Sequence, residues 1–390
     1  MEILFVSHKY PPATGGMEKQ SFELITGMRC FAAVHTIVYT GQENRILFFL
    51  SLEKKIQAMC RTFPGISIIH FNDALIASFC IRHKSYPHLK RVVTVHGLDV
   101  VFPGKIYQKC ILPAFNRFDL IVAVSQATKA AGVERGIDAK KIVVINNGVD
   151  HALLDEEQDI HFTESFKRKY GIDLKGKTIL TALGRPVKRK GFSWFIQNVV
   201  PQLNGNFVFL IVGPFDKNRL WRDRIFDLIP TGIRSKIELF LGYPTDENPL
   251  RNLLLQKQFR ENVIHLGKLP FQELVQLLRA TDAFVMPNIR VENDMEGFGL
   301  VCLEASLCGS WVFASKIDGI TDAVQDDKNG TLILPENSAE WASSLNHFIT
   351  DPSGFEQRIN GGKTYTKNNF GWEKMAFSYF GHFCKLVEAD

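Results

Sequence analysis

Short, nearly uninterrupted apolar runs recur along the whole chain, at residues 3–7, 34–39, 66–71, 92–95, 120–124, 142–145, 178–183, 207–212, 263–266, 283–286, 311–314 and 332–334. Runs this short, apolar at consecutive positions and bounded by Gly, Pro, Asn or Ser, predict strands buried on both faces. Between them, residues 18–29, 42–63, 192 onward, 271–280, 300–308, 337–350 and 371–387 carry the three-to-four spacing of helices. Strand and helix in alternation predict an α/β protein built on parallel sheets. The alternation lapses once, over a charged stretch from His151 to Leu174, and residues 153–161 read as a linker. Two domains follow, over residues 1–155 and 162–370, with a closing amphipathic segment at 371–390. Residues 215–262 are long for one crossover and read as an extra helical hairpin or a lid.

The stretch richest in chemistry is MPNIRVENDMEGFGLVCLEASLCG, residues 286–309. A strand end leads into a polar loop, then Glu296-Gly297-Phe298-Gly299, then a helix that Gly309 should stop. That helix is apolar on nearly every side, as a buried helix is. Its one charged residue, Glu304, shares a stripe with Leu300 and Leu307. A buried carboxylate needs hydrogen-bond donors, and a vicinal diol would supply two. Gly297 and Gly299 let the backbone approach a ligand and leave N–H groups at a helix start, where phosphate is favoured. Glu296 adds a second carboxylate. The bland reading of the same segment is a strand, a turn and a capped structural helix.

Elsewhere polar residues collect at the carboxyl ends of strands, where open α/β sheets bind ligands. The first strand runs into Gly15-Gly16-Met17-Glu18, without the GxGxxG spacing of a dinucleotide fold. Others end in His96-Gly97-Leu98-Asp99, Ser125, Asn147-Gly148 and Gly213-Pro214. The strand at 178–183 ends in GRPVKRKG, residues 184–191, where Arg185 and Lys190 can converge on one anion.

Composition narrows the class only a little. Residues 1–150 hold 18 Lys and Arg against 11 Asp and Glu, a net of +7, and the remainder holds 28 against 30, a net of −2. A basic first half suits an anionic acceptor or an anionic membrane surface. No basic tract is dense enough to predict a nucleic-acid partner. Seven cysteines in odd number, with no CxxC pair, read as reduced packing residues. No secretory leader and no run of about twenty apolar residues is apparent, so the expectation is a cytoplasmic protein with peripheral membrane contact.

Six of these segments occur in the order found in retaining glycosyltransferases of family 4. They are Gly15-Gly16-Met17-Glu18, Thr94-Val95-His96-Gly97, Val124-Ser125, Asn147-Gly148-Val149-Asp150, Gly184-Arg185 with Lys190-Gly191, and Glu296-Gly297-Phe298-Gly299 through Glu304. The chain resembles that family over its whole length. The resemblance implies a GT-B fold, two facing Rossmann-like parallel-sheet domains with the donor in the interdomain cleft. The last helix, 371–390, would cross back to the first domain. Arg185, Lys190, Glu296 and His96 would be catalytic. Gly15, Gly16, Gly184, Gly213, Gly297, Phe298, Gly299, Leu300 and Glu304 would bind the donor, and Ser125, Asn147 and Asp99 the acceptor. The chain departs from the common pattern at Pro186-Val187, in the charged run 290–294 and in the length of 215–262.

The implied partners are a nucleotide sugar and a glycan, lipid-linked or small-molecule acceptor. No DxD sequence is present, so metal-independent transfer is expected, with no cofactor beyond the sugar-nucleotide co-substrate. Two alternatives stand beside this reading. One is a sugar-nucleotide epimerase on the same plan, and the other is a non-catalytic subunit that binds nucleotide sugars.

Overall fold

The computed structural model describes residues 1–154, 159–215 and 245–388. The chain divides into two compact units. The first comprises Met1–Val149, Met295–Leu300 and Phe370–Asp390, and the second Asp150–Asp294 and Val301–Asn369. The short segment Met295–Leu300 therefore belongs with the first unit, although its sequence position lies inside 162–370. The reason is packing: Met295 is buried in the first unit's core, in the same cluster as Val95, Val100 and Val101.

The first unit holds a six-stranded sheet of β1 (Glu2–Ser7), β2 (Ala33–Val38), β3 (Ile66–Phe71), β4 (Lys90–Val95), β5 (Leu120–Ala123) and β6 (Ile142–Val144). Its order is β2-β1-β3-β4-β5-β6, with every pairing parallel. The second unit holds β7 (Thr178–Leu183), β8 (Phe207–Val212), β9 (Val263–Gly267), β10 (Ala283–Met286), β11 (Trp311–Ser315) and β12 (Gly330–Ile333). These are parallel in the order β12-β11-β10-β7-β8-β9. That is the dinucleotide-fold order, with its switch point between β7 and β10. Each expected strand is present within two residues of its expected ends. β8 is buried at every position, as a strand covered on both faces must be.

Helices were less legible. The stretch 42–63 is two helices, Arg45–Leu50 and Leu52–Thr62. Ser51 separates them and turns its hydroxyl back onto the Phe48 carbonyl, a bond that competes with helical continuation. Ala74–Cys80, Gln126–Glu134 and Phe162–Tyr170 follow strand or linker ends. Glu356–Asn369, EQRINGGKTYTKNN, has no apolar stripe at all. It is held by tertiary contact instead: Thr366 is buried and reaches Ser306 Oγ at 2.9 Å and Asn329 Nδ2 at 3.1 Å. Of the expected hairpin or lid at 215–262, residues 216–244 lie outside the described residues, and the described part includes a helix, Glu247–Leu254.

The closing helix, Trp372–Glu388, packs in the first unit. Met375, Tyr379 and Phe383 recur every four residues and join Phe5, Ile68 and Val92 in one core cluster. Fully burying side chains of this size stabilises by about 1.5–3 kcal/mol each. Tyr379 also joins a buried polar chain. Asn72 Oδ1 can only accept, so His70 Nδ1 donates to it at 3.3 Å. His70 Nε2 then accepts from Thr94 Oγ1 at 2.9 Å, Thr94 accepts from Tyr379 at 2.9 Å, and Tyr379 accepts from Gln20 at 3.5 Å. Burial pushes the His70 pKa down to about 3, so the chain is neutral throughout and every hydroxyl has one direction.

Candidate active site

In the second unit, the loops after β7 and β10 meet at the switch point. Gly184 leaves β7 with its N–H on the Val212 carbonyl at 2.9 Å and with φ at 152°. A Cβ on Gly213 would collide with the Gly184 carbonyl, so β7 and β8 end in a contact only glycine permits. The chain then turns through a 3-10 segment, Lys188–Lys190. Lys190 is only 8% exposed, and its stem runs beside Gly184, where a Cβ would sit 3.2 Å from Lys190 Cε. Gly191 starts the helix Phe192–Asn198 at φ 65°. Any Cβ there would strike the Pro287 carbonyl of the loop after β10.

Two bonds fasten these loops together. Ile289 N donates to the Arg189 carbonyl at 2.9 Å. The Arg189 guanidinium spans both oxygens of Asp294 at 3.3 and 3.2 Å. The charged run 290–294 therefore has a structural partner in the basic loop. Beyond it, helix Leu300–Cys308 buries Cys302, Leu303 and Ala305–Cys308, and leaves Glu304 partly exposed. Gly309, at φ 98°, ends the helix, with Ser310 N returning to the Ala305 carbonyl at 3.0 Å.

In the first unit, helix Gly16–Met28 starts two residues earlier than the periodicity suggests, so Gly16 is its first residue. Glu18 turns its carboxylate back beside Gly15 and pairs with Lys9 at 3.3 Å. His96 and Gly97 follow β4. Gly97 sits at φ 65° and a Cβ there would come 2.8 Å from Gly297 Cα. Gly16 likewise faces Leu300, whose Cδ1 is 3.4 Å from where a Cβ would lie. Gly15, Gly16, His96, Gly97 and the Glu296–Leu300 segment thus gather in one neighbourhood of this unit. Phe298 is buried there against Phe370, with ring centroids 6.3 Å apart.

The His96 ring is oriented by backbone. Its Nε2 lies 2.8 Å from the Asn72 carbonyl, an acceptor, so Nε2 carries a proton and donates. Asp99 binds the loop ends of β3 and β4 together: its carboxylate accepts from His96 N at 2.9 Å and Ala74 N at 3.4 Å. Burial raises the Asp99 pKa, with the nearby His96 and Asp73 acting in opposite directions. Sequence reasoning passed over His8, which meets Asp73 at 2.9 Å across the gap between β1 and β3. Burial pushes the Asp73 carboxyl up, but the hydrogen bond and charge of His8 outweigh it and hold the pKa down.

The three acceptor candidates are deployed differently from one another. Ser125 is fully buried and caps helix Gln126–Glu134, accepting from Thr128 N at 3.1 Å. Asp99 acts on loop backbone. Asn147 is buried with its Oδ1 unbonded. Among the described residues, no group of three or more His, Cys, Asp or Glu is arranged to hold a metal ion. No helix among them is long and apolar enough to cross a membrane.

Comparison with known proteins agrees with this geometry. The profile of the glycosyl transferases group 1 matches residues 162–365, and that of Glycosyltransferase Family 4 matches residues 5–153. An uncharacterized glycosyltransferase of Methanocaldococcus jannaschii is 23% identical over 320 residues, 80% of this chain and 71% of that one. A D-inositol 3-phosphate glycosyltransferase of Streptomyces bingchenggensis is 36% identical over 104 residues, 27% of this chain and 22% of that enzyme. Among solved structures, HepE of Anabaena in complex with UDP superposes with a TM-score of 0.74 at 20% identity, covering 99% of this chain and 100% of that one. The fold is GT-B, and the chain belongs to the glycosyl transferases group 1 and is a glycosyltransferase.

Proposed function

We propose that this glycosyltransferase moves a hexose-type sugar from a nucleoside-diphosphate sugar to a glycan, lipid-linked or small-molecule acceptor, with retention and without a metal or other cofactor. The observation that carries this reading is the pair of fastened loops at the β7–β10 switch point, with Arg185 and the buried Lys190 on one loop and helix Leu300–Cys308 following the other. Arg185 and Lys190 hold the diphosphate and offset the charge that grows on it as the glycosidic bond breaks. Glu304 accepts from the ribose hydroxyls. Glu296 and His96 attend the transferred sugar, His96 through Nδ1, the ring nitrogen not engaged by the Asn72 carbonyl. Attack comes from the face the diphosphate leaves, and the departing phosphate takes the acceptor's proton.

The same reading puts the protein at the cytoplasmic face of a membrane, in polysaccharide or glycoconjugate assembly. Support comes from helix Arg45–Leu50, where Ile46, Leu47 and Leu50 are 70%, 61% and 72% exposed within a basic half of the chain.

Calorimetry with UDP, GDP and ADP tests the donor site. UDP is the first candidate, since the Anabaena neighbour holds it. One nucleotide should bind the wild type, and turnover of its sugar conjugate should fall on the order of 10²-fold or more in Lys190→Ala, as loss of a charge-stabilising donor does. Release of nucleoside diphosphate marks a transferase. Sugar altered without release marks an epimerase. Normal turnover in Lys190→Ala removes the assigned role.

A further inference from the structure

We propose that Asp246 is a positioning residue for Lys190, clamping both ends of the loop that carries it. Thr245 and Asp246 lie in the second unit at the start of helix Glu247–Leu254. At the near end of the loop, Asp246 N donates to the Pro186 carbonyl at 2.8 Å, and Thr245 Oγ1 donates to the same oxygen at 3.2 Å. Val187 and Thr245 add an isolated antiparallel bridge. At the far end, the Asp246 carboxylate accepts from Ser193 N at 2.7 Å through Oδ2 and from Ser193 Oγ through Oδ1. One residue thus grips Pro186 and Ser193, the two flanks of Val187–Phe192. Within that span Lys190 is buried, and Gly191 abuts Pro287.

The clamp depends on charge. Asp246 is 3% exposed, and burial raises its pKa to about 6, against the opposing Ser193 hydrogen bonds and the Lys188 charge. Above that value the carboxylate offers both Ser193 donors an acceptor. Below it, one oxygen bears a proton that competes for the same space. The sign for stability is the reverse. A carboxyl whose folded pKa is raised contributes stability below its unfolded pKa and loses it as pH rises through about 6. The ionised clamp is therefore held at a cost to folding.

The inference rests on the phosphate role proposed for Lys190. Its test uses the full chain and acceptor-free hydrolysis of UDP-glucose, GDP-mannose and ADP-glucose, taking whichever turns over, across roughly pH 5 to 8. The wild type should lose kcat as pH falls through about 6. Asp246→Asn should lose kcat by roughly tenfold to a hundredfold at neutral pH, with KM less changed and the inflection gone. Its melting temperature at neutral pH should equal or exceed the wild type's. Ser193→Ala, which removes one of the two contacts, should show a smaller loss and keep the inflection; it carries the test if the Asn variant does not fold. Wild-type kcat with an unchanged inflection in Asp246→Asn, or unchanged kcat in Ser193→Ala when that variant stands alone, overturns the clamp. Normal turnover in Lys190→Ala overturns the phosphate role instead, so the two failures are distinguishable.

Discussion

Gly191 concentrates the residue-scale argument. Its φ of 65° is strained for any side chain, and the Pro287 carbonyl occupies the place of a Cβ. Gly191→Ala must open the junction between the loops after β7 and β10 or distort the helix start beside Lys190. Strain alone is worth roughly 1–3 kcal/mol. Urea unfolding should show a loss at least that large, with turnover falling further than stability. Wild-type stability in this variant would mean the loops are not in contact. The glycine was visible in the sequence because Arg185, Lys190 and Gly191 share one short loop at a strand end. Asp246 was not visible, since its partners Pro186 and Ser193 lie far upstream and no motif links them. Arg189–Asp294 escaped for the same reason: each side chain is an ordinary surface charge until the fold brings the two loops together.

At the scale of elements, strands were legible because burial on both faces forces near-continuous apolar runs. Helices were legible where one face is apolar, and at Leu300–Cys308 where an almost wholly apolar run is bounded by glycines. Trp372–Glu388 shows its stripe plainly, whereas Glu356–Asn369 is helical through Thr366, Asn329 and Ser306, which sequence spacing cannot reveal. What the stripe of the closing helix did not reveal is that it carries the Tyr379 link of the Gln20–Tyr379–Thr94–His70–Asn72 chain. Asn72 in turn gives its carbonyl to His96, so the helix helps to set the ring that the proposed mechanism uses. Tyr379→Phe keeps the packing and removes only the hydroxyl, leaving the Gln20 amide donor and the acceptor side of Thr94 unsatisfied in the core, while Thr94 still donates to His70. Leaving such groups unsatisfied costs about 1–3 kcal/mol. Denaturant unfolding should register that loss, and the double variant Tyr379→Phe with Thr94→Val should lose less than the two single variants summed, because both remove the same Tyr379–Thr94 bond, although Thr94→Val also takes the donor from His70 Nε2. Additive losses would show that the two hydroxyls are not coupled.

At the scale of the whole molecule, charge and apolar exposure act together where neither would suffice. The +7 of residues 1–150 is modest, and alone it is as consistent with a solvated surface as with an anionic one. Ile46, Leu47 and Leu50, on one helix, each leave more than half of their surface exposed. Phe49, on the same helix, packs at a tilt against the half-exposed Phe79 with centroids 4.7 Å apart. Arg45 opens the helix, and Lys54 and Lys55 follow it in the next. Apolar side chains entering an interface gain roughly 25 cal/mol per Å² buried, and each nearby Lys or Arg adds about 1 kcal/mol against anionic lipid. The full chain should therefore sediment with vesicles containing phosphatidylglycerol, and weakly or not at all with phosphatidylcholine alone. High salt should loosen the association without abolishing it, because the apolar term is not screened. Leu47→Glu with Leu50→Glu should free the protein from the vesicles while acceptor-free turnover of the nucleotide sugar stays at the wild-type rate, since both side chains are exposed and neither takes part in the site contacts described above. Equal sedimentation of the wild type and the double variant would assign the exposed leucines to some other contact and leave the basic bias as ordinary surface charge.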